Sequence, residues 1–506
     1  MLWVKIPNEV PYKMRVFAVA VCLLLPSLTF SSISPLRASD DVIDISSRRE
    51  LIVDRLLIDN LQNIRLVLNR PRDEGVALQF DQPWEGLFCG YATVIKDGDL
   101  YRLYYRGSPK VGVDGNPGET YCYAESKDGI QWTKPELNLY EFQGSTKNNI
   151  VLADAAPVTH NFSPMLDSRP EVPAQERFKA IGGTMTSGLI AMVSPDGIHW
   201  KKLQEEPVIA TESVPYNYMF DSQNVAFWSA SEHKYLCYFR VFEGGIRRIC
   251  RSTSDDFLNW SEPTLMEYRH DGGEAPIEHL YTNQTHPYFR APHLYVSVAA
   301  RFMPGRQVLS DAQADAINVS PQYFKDTSDA VLMTSRGGPF YDRTFLGGFV
   351  RPGIGAQNWV SRTNYPALNI VQTGSTEMSV YLNQDYAQPT SHLHRYSMRL
   401  DGFASAQAPY SGGELLTKPL TFSGHELSIN FGTSAAGSVR VEIQDASGEP
   451  IPGFALSETV EQIGNEIDRV VTWKHGSDVT PLCGKPIRLR FVIKDADLYS
   501  FQFDDE

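Results

Sequence analysis

Long apolar runs are almost missing from this 506-residue chain. The one exception, "VFAVAVCLLLPSLTF" at 16–30, follows Met14-Arg15, is too short for an ordinary bilayer span and is broken by Pro26. With the small residues of "LRASD" behind it, it reads as an export leader starting at Met14 and cut near Ala38. Residues 1–38 are therefore expected to be a signal peptide, and the mature chain to be secreted or periplasmic, with no membrane contact after the leader is removed. Basic charge is also scarce: 46 Lys and Arg against 60 Asp and Glu leave a net charge of −14, which argues against a nucleic-acid or anionic-membrane surface. Of six cysteines, Cys22 falls in the leader, and the odd set Cys89, Cys122, Cys237, Cys250 and Cys483 has no CxxC spacing, which excludes a zinc ribbon or a dense disulfide framework. The first four sit in apolar or aromatic runs that suit buried thiols, and only Cys237 with Cys250 is a pair worth testing for a bridge. No His/Asp/Cys set has metal-type spacing, so no metal and no cofactor are expected. There is no G-x-S-x-G elbow and no glycine-rich phosphate loop, and long helical patterns are few.

What is present is a repeated phrase. "SPDGIHW" at 194–200 recurs as "SKDGIQW" at 126–132 and "SDDFLNW" at 254–260, each preceded by an apolar or alternating run: "ETYCYAES", "GLIAMVS" and "IRRICRST". Strands ending in a turn give this pattern, with Asp bonding nearby amides and Gly accepting positive φ. The phrase is expected to close a hairpin rather than to do chemistry, and it resembles the Asp-box turn of sialidases and similar propellers. Trp132, Trp200 and Trp260 follow at intervals of 68 and 60 residues, room for a four-stranded blade with loops. Five such units can be traced, with first strands near "WEGLFCGYATV" (84–94), "HNFSPML" (160–166), "FDSQNVAFW" (220–228), "HLYTNQTHPYF" (279–289) and "RTNYPALNIV" (362–371). Second strands follow in "LYRLYYRG", "RFKAIGG", "KYLCYFRV", "HLYVSVAARF" and "MSVYLNQ", and the fourth unit keeps only a degenerate Ser-Arg-Gly-Gly turn. Beyond 411 the texture changes to strict alternation, as in Val439 to Ile443 and Ile487 to Phe491, between Gly/Ser/Pro turns. The expectation is an all-β chain: a lead-in at 39–74, a five-bladed β-propeller at 75–411 and a C-terminal β-sandwich at 412–506.

Ligands usually meet a propeller at the loops around one end of its channel, so acids at first-strand starts are the candidates. Three blades offer them: Asp81 and Glu85 in "FDQPWEG", Asp221 in "FDSQN" and Glu278 in "PIEHLYTN". A single such acid is more often a cap, but three at one mouth would repel unless function kept them there. Converging carboxylates suit glycosidic bond cleavage, with Glu278 as acid, Glu85 or Asp81 as nucleophile or base, and Asp221 as auxiliary. Leader, blades, sandwich and acid trio together resemble the glycoside hydrolases of families 32, 43 and 68. In the invertase-like group the acids lie in Asn-Asp-Pro-Asn, Arg-Asp-Pro and Glu-Cys words; here "FDQPWEG", "MFDSQN" and "IEHLYT" match in position and order, not in wording, so a fructan substrate is not implied.

Second-strand ends lie beside first-strand starts in an antiparallel pair, which brings Arg106, Arg240 and Arg301 to the same end as the acids. Each either neutralises its neighbouring acid or binds a sulfate or carboxylate on an anionic sugar. Trp84, Tyr216, Tyr218, Tyr281 and Trp359 are aromatics placed to stack on sugar faces, with core packing the default for any one of them, and His160 and His279 also start first strands. The resulting expectation is an exported O-glycosyl hydrolase with a carbohydrate substrate. Asp81, Trp84, Arg106, Arg240 and Arg301 would hold that substrate. A carbohydrate-binding propeller without catalysis and a sialidase-like enzyme, which would need a Tyr nucleophile beside a Glu, are the alternatives.

Overall fold

The structure, a computed structural model, describes residues 42–108 and 115–504; the expected leader lies outside the described residues. The chain is all-β, with one short α-helix, Asp311–Ala316, among the described residues. No helix among them is long and apolar enough to cross a membrane.

Five sheets follow one another in a propeller-like arrangement, antiparallel except where Glu267–His270 joins the fourth parallel to Phe340–Asp342. The first is Gly90–Asp97, Leu100–Gly107, Thr120–Ser126 and Ile150–Leu152; the second is Ser163–Leu166, Phe178–Gly182, Ile190–Ser194 and Lys201–Lys202. The third runs Val225–Ser229, Lys234–Glu243, Ile246–Ser254 and Thr264–Leu265. The fourth is built on Leu280–Thr282 and Thr285–Tyr288, then Ala291–Met303, Thr327–Ser335 and Phe340–Asp342. The fifth has Tyr365–Pro366 and Val371–Gln372, then Glu377–Gln384 and His392–Arg399. Its outermost strand is Arg72–Gln79, taken from the other end of the chain and paired with His392–Arg399. That pairing ties the last sheet to the segment that leads into the first.

The apolar runs are continuous because each sheet is covered on both faces. Alternate residues of one strand enter different cores: Leu103 and Tyr105 pack with Tyr381 and Leu393 of the fifth sheet, while Tyr104 packs with Phe178 and Met192 of the second. Cys237 and Phe239 likewise join the second sheet, and Leu236 and Tyr238 the fourth. The fourth and fifth sheets share Val296, Val298, Val380 and Leu382. Cys89, Cys122, Cys237 and Cys250 are buried and free; Cys250 pairs with Phe239, and Cys237 with Ser252, so the two thiols are not cross-strand partners.

The repeated phrase closes the third and fourth strands of its sheet, as Met192 opposite Lys202 illustrates. In all three copies the Ser hydroxyl accepts the N–H three residues on, at 2.9 Å, and the Asp carboxylate accepts the next two, at 2.7–2.9 Å. The residue after Asp has φ of +73° and +78° where it is Gly129 and Gly197, and +70° where it is Phe257.

The C-terminal strands Glu426–Asp445 and Ile487–Asp504 pair along nearly their whole length and anchor one continuous ten-stranded sheet with its own core. That sheet also recruits Ile43–Ser46, Glu50–Leu51, Ile58–Gln62 and Arg65–Leu68, so the segment read as a lead-in supplies strands to it.

Candidate functional site

First strands start, second strands end and third strands start at the same end of the propeller-like ring. Gly90 pairs with Arg106 and Leu280 with Arg301, and the Phe220 N–H donates to the Arg240 carbonyl at 3.1 Å. A small hollow opens there, walled by Tyr91, Arg106, Glu119, His160, Tyr281 and Arg362 among others. Among the first strands, a buried amide chain links the sheets: Gln284 donates to Gln223 (2.6 Å) and to the Pro366 carbonyl (2.7 Å), and Gln223 donates to Thr93 (2.9 Å). One wall of the hollow comes from an insertion between the second and third strands of the fourth sheet. Its helix begins in a capping box between Ser310 and Gln313, and Phe324 packs in one cluster with Phe88 and Tyr386. Around the hollow, Tyr91, Phe220, Arg362 and Asn364 all hold positive φ, between +50° and +67°. Left-handed backbone costs a non-glycine residue about 1–3 kcal/mol and tends to collect at functional sites.

The sequence-derived candidates separate into three groups. Asp221, Arg106 and Arg240 reach the hollow or its rim. Asp221 pairs with Arg240 at 2.5 Å; its side chain is 36% exposed while that of Arg240 is 1% exposed. Arg106 donates to the Phe88 carbonyl at 3.0 Å, lies 3.3 Å from His160 Nδ1 and stacks 4.7 Å from the Tyr91 ring centre. Glu278 and Arg301 form a closed ion network. Glu278 accepts from Arg301 (2.8 Å) and Arg343 (2.9 Å), one on each oxygen, and Arg301 makes a two-pronged contact with Asp329 at 2.8 and 2.6 Å. Neither Glu278 oxygen is left open toward a leaving group. The third group lies away from the hollow. Glu85 is fully buried and accepts from Tyr105 (2.5 Å), Gln82 N–H (2.9 Å) and Lys134 (2.8 Å). Asp81 is exposed beside the same lysine at 3.0 Å, and Trp84 donates to Asn149 at 2.6 Å while packing on Phe142. The structure thus does not bring Glu85, Asp81 or Trp84 to the hollow, because Lys134, arriving from the end of the first repeated turn, draws the first two acids to itself.

Sequence reasoning missed three charged residues here. Glu119 precedes the third strand of the first sheet and lies 3.0 Å from His160 Nδ1; His160 Nε2 stands 3.8 Å from Asp221. Burial alone would lower the imidazole pKa, but Asp221 and Glu119 outweigh it and the net shift is upward. The hollow therefore holds a buried carboxylate–imidazole–carboxylate array ending at the half-open Asp221. Arg247, at the third-strand start of the third sheet, and Arg362, before the fifth sheet, crowd the ring of Tyr281 together with Arg240, their guanidinium carbons lying 5.0, 5.7 and 4.5 Å from its centre. No cluster of three or more His, Cys, Asp or Glu suited to a metal occurs among the described residues.

No protein-family model matches the chain, and no curated protein matches it. Solved structures similar to it include an N-acetylgalactosamine deacetylase from F. plautii in complex with blood group B trisaccharide, 12% identical, covering 66% of this chain and 96% of that one with a TM-score of 0.45. Others are the α-L-arabinofuranosidase of Podospora anserina in complex with cellotriose (8% identical, 65% and 96% covered, TM-score 0.39) and the GH32 β-fructofuranosidase of Bombyx mori (9%, 87% and 95%, 0.37). Likeness at this level carries no weight for the chemistry of this chain, which rests on its own site.

Proposed function

We propose that this chain is an exported glycoside hydrolase, a five-bladed propeller with a C-terminal sandwich, that takes a carbohydrate into the hollow and cleaves a glycosidic bond beside Asp221. The carrying observation is the array Glu119–His160–Asp221: two carboxylates 3.0 and 3.8 Å from the two nitrogens of one imidazole beside a polar hollow. Glycosidic cleavage needs a proton for the departing oxygen and an ionised carboxylate for the sugar carbon or for water. Asp221 is the half-open carboxylate and takes the second role; His160, which shares its proton with Glu119, supplies the first. Arg240, held charged by Asp221, keeps that carboxylate in place. Arg106 and the tyrosine walls position the sugar, and the excess of guanidinium over carboxylate around the hollow favours an anionic one. Within this reading Glu85 is a structural anchor, and Glu278 with Arg301 borders the site. The sialidase-like alternative needs a Tyr beside a Glu at the hollow, and the Tyr105–Glu85 pair lies away from it.

The test is reducing-sugar release from neutral, uronic and sulfated polysaccharides by the mature protein and by Asp221→Asn. Loss of about 10²–10⁴-fold in turnover, with binding and folding kept, is the expected result. If wild type binds a glycan and releases nothing, the carbohydrate-binding reading takes over.

A further inference from the structure

Two guanidinium groups beside the hollow form no ion pair among the described residues. Arg240, Arg301 and Arg343 each pair with a carboxylate, whereas Arg247 and Arg362 do not. Arg362 lines the hollow, has its guanidinium carbon 5.1 and 5.7 Å from the ring centres of Tyr323 and Tyr281, and makes one long contact, 3.5 Å, to the Tyr323 hydroxyl. Arg247 stacks on Phe242, Tyr281 and Phe302 at 4.7–5.0 Å, next to His279, and its Nε is buried without a hydrogen-bond partner. Arg240 shares the Tyr281 ring with both, is 1% exposed, and has Nε and Nη1 buried and unpartnered after Asp221 has taken Nη2. Burial and the neighbouring Arg240 together push the Arg247 pKa down, so its charge is held there at a cost. Partly buried cations without anions are unfavourable, and two of them beside the donors that Arg240 leaves unused are kept only where something else supplies the negative charge.

We propose that Arg240, Arg247 and Arg362, grouped around Tyr281, form a subsite for an oxyanion substituent, a carboxylate or sulfate carried by the sugar that occupies the hollow. This rests on the proposed carbohydrate reading and names its substrate class. Guanidinium forks match carboxylate and sulfate oxygens with paired N–H donors, and the aromatic rings beside them hold each fork flat and exclude water from it. With Asp221 occupied by Arg240, the anion would be read mainly by Arg247 and Arg362, and the remaining Arg240 donors would complete its shell.

The experiment is calorimetric titration of the mature protein and of Arg247→Gln, Arg362→Gln and Arg362→Lys. The probes are sodium glucuronate, glucose 6-sulfate and glucose, at two salt concentrations, with thermal unfolding of each ligand-free protein. The expected result is that an anionic sugar binds wild type at least tenfold more tightly than glucose, that each Gln variant loses about ten- to a hundredfold of that preference, and that Arg362→Lys keeps part of it. The two anionic probes tell carboxylate from sulfate. The Gln variants should also unfold at a higher temperature than wild type when no ligand is present, which a merely structural arginine would not produce. Equal binding of glucose and the anionic sugars, or lower Tm in both Gln variants with no change in charge preference, overturns the subsite. Hydrolysis of anionic glycans unaffected by the Gln variants would sink the subsite and leave the hydrolase; charge-selective binding without release of sugar would do the reverse.

Discussion

Glu85 is where a structural and a catalytic role predict opposite measurements, and Glu85→Gln separates them. Three donors converge on this carboxylate: the Tyr105 hydroxyl, the Gln82 N–H and the Lys134 ammonium, with Glu85 0% and Lys134 15% exposed. A glutamine of the same shape removes the charge that balances Lys134 and turns two N–H bonds toward groups that are themselves donors. Stripping one partner from a buried ion pair costs about 3–5 kcal/mol, mostly from the stranded charge. At a urea slope of about 3 kcal/mol per molar, that moves the unfolding midpoint down by about 1 M or more. Turnover per folded molecule should stay within a fewfold of wild type, because nothing connects Glu85 to the hollow except backbone. Urea unfolding followed by tryptophan fluorescence gives the first number, and sugar release below the transition gives the second. A variant with unchanged midpoint and turnover reduced a hundredfold or more would refute this placement of Glu85 and restore it to the reacting centre.

Two further outcomes follow from the same contacts. His160 has a raised pKa in the folded chain, so its contribution to stability is fully present below the unfolded value of about 6.5 and lost as pH rises through the folded one; the Tm advantage of wild type over His160→Gln should shrink steadily above about pH 6.5, and a growing advantage would contradict the Glu119–His160–Asp221 array. Gly197→Ala should destabilise by about 2 kcal/mol or more, because φ is +78° and the new Cβ would sit 2.5 Å from the Tyr104 hydroxyl, whereas Gly144→Ala, at φ +84° with nothing within 4 Å, loses only the backbone share; equal thermal shifts would show that the turn tolerates the methyl.

The strand positions were legible for a physical reason. A sheet packed on both faces writes itself as an unbroken apolar run between turn residues, and "KYLCYFRV" or "HLYVSVAARF" has no other reading in a chain with few helical patterns. The outer elements lack that signature. Arg72–Gln79 has one buried residue in eight, and strands such as Glu50–Leu51 are two residues long, so the contribution of 43–79 to both ends of the fold was hidden. For the site, the reading of acids at first-strand starts singled out Asp221, and the antiparallel rule singled out Arg106, Arg240 and Arg301 from strand ends alone. Carried one strand further, to third-strand starts, it also finds Glu119 and Arg247, which stand immediately before Thr120 and after Ile246. Arg362 opens the quoted first strand of the fifth unit, where only acids were sought. Glu85 could not be judged from sequence, because the lysine that claims it is 49 residues away.

Charge ties these points together. The folded chain balances the candidate acids locally: Lys134 holds Glu85 away from the hollow, Arg240 takes Asp221, and Arg301 with Arg343 takes Glu278. The imbalance left over is positive and sits at Arg247 and Arg362, inside a chain whose net charge is −14. Beyond about 8–10 Å, screening leaves an approaching polyanion facing the negative surface more than the positive hollow. Within that distance the arginines dominate. Under the proposed subsite, a cationic hollow in an anionic shell favours a single charged sugar, or the charged end of a glycan, over the interior of a long polyanion, whose flanking charges would have to lie against the acidic surface.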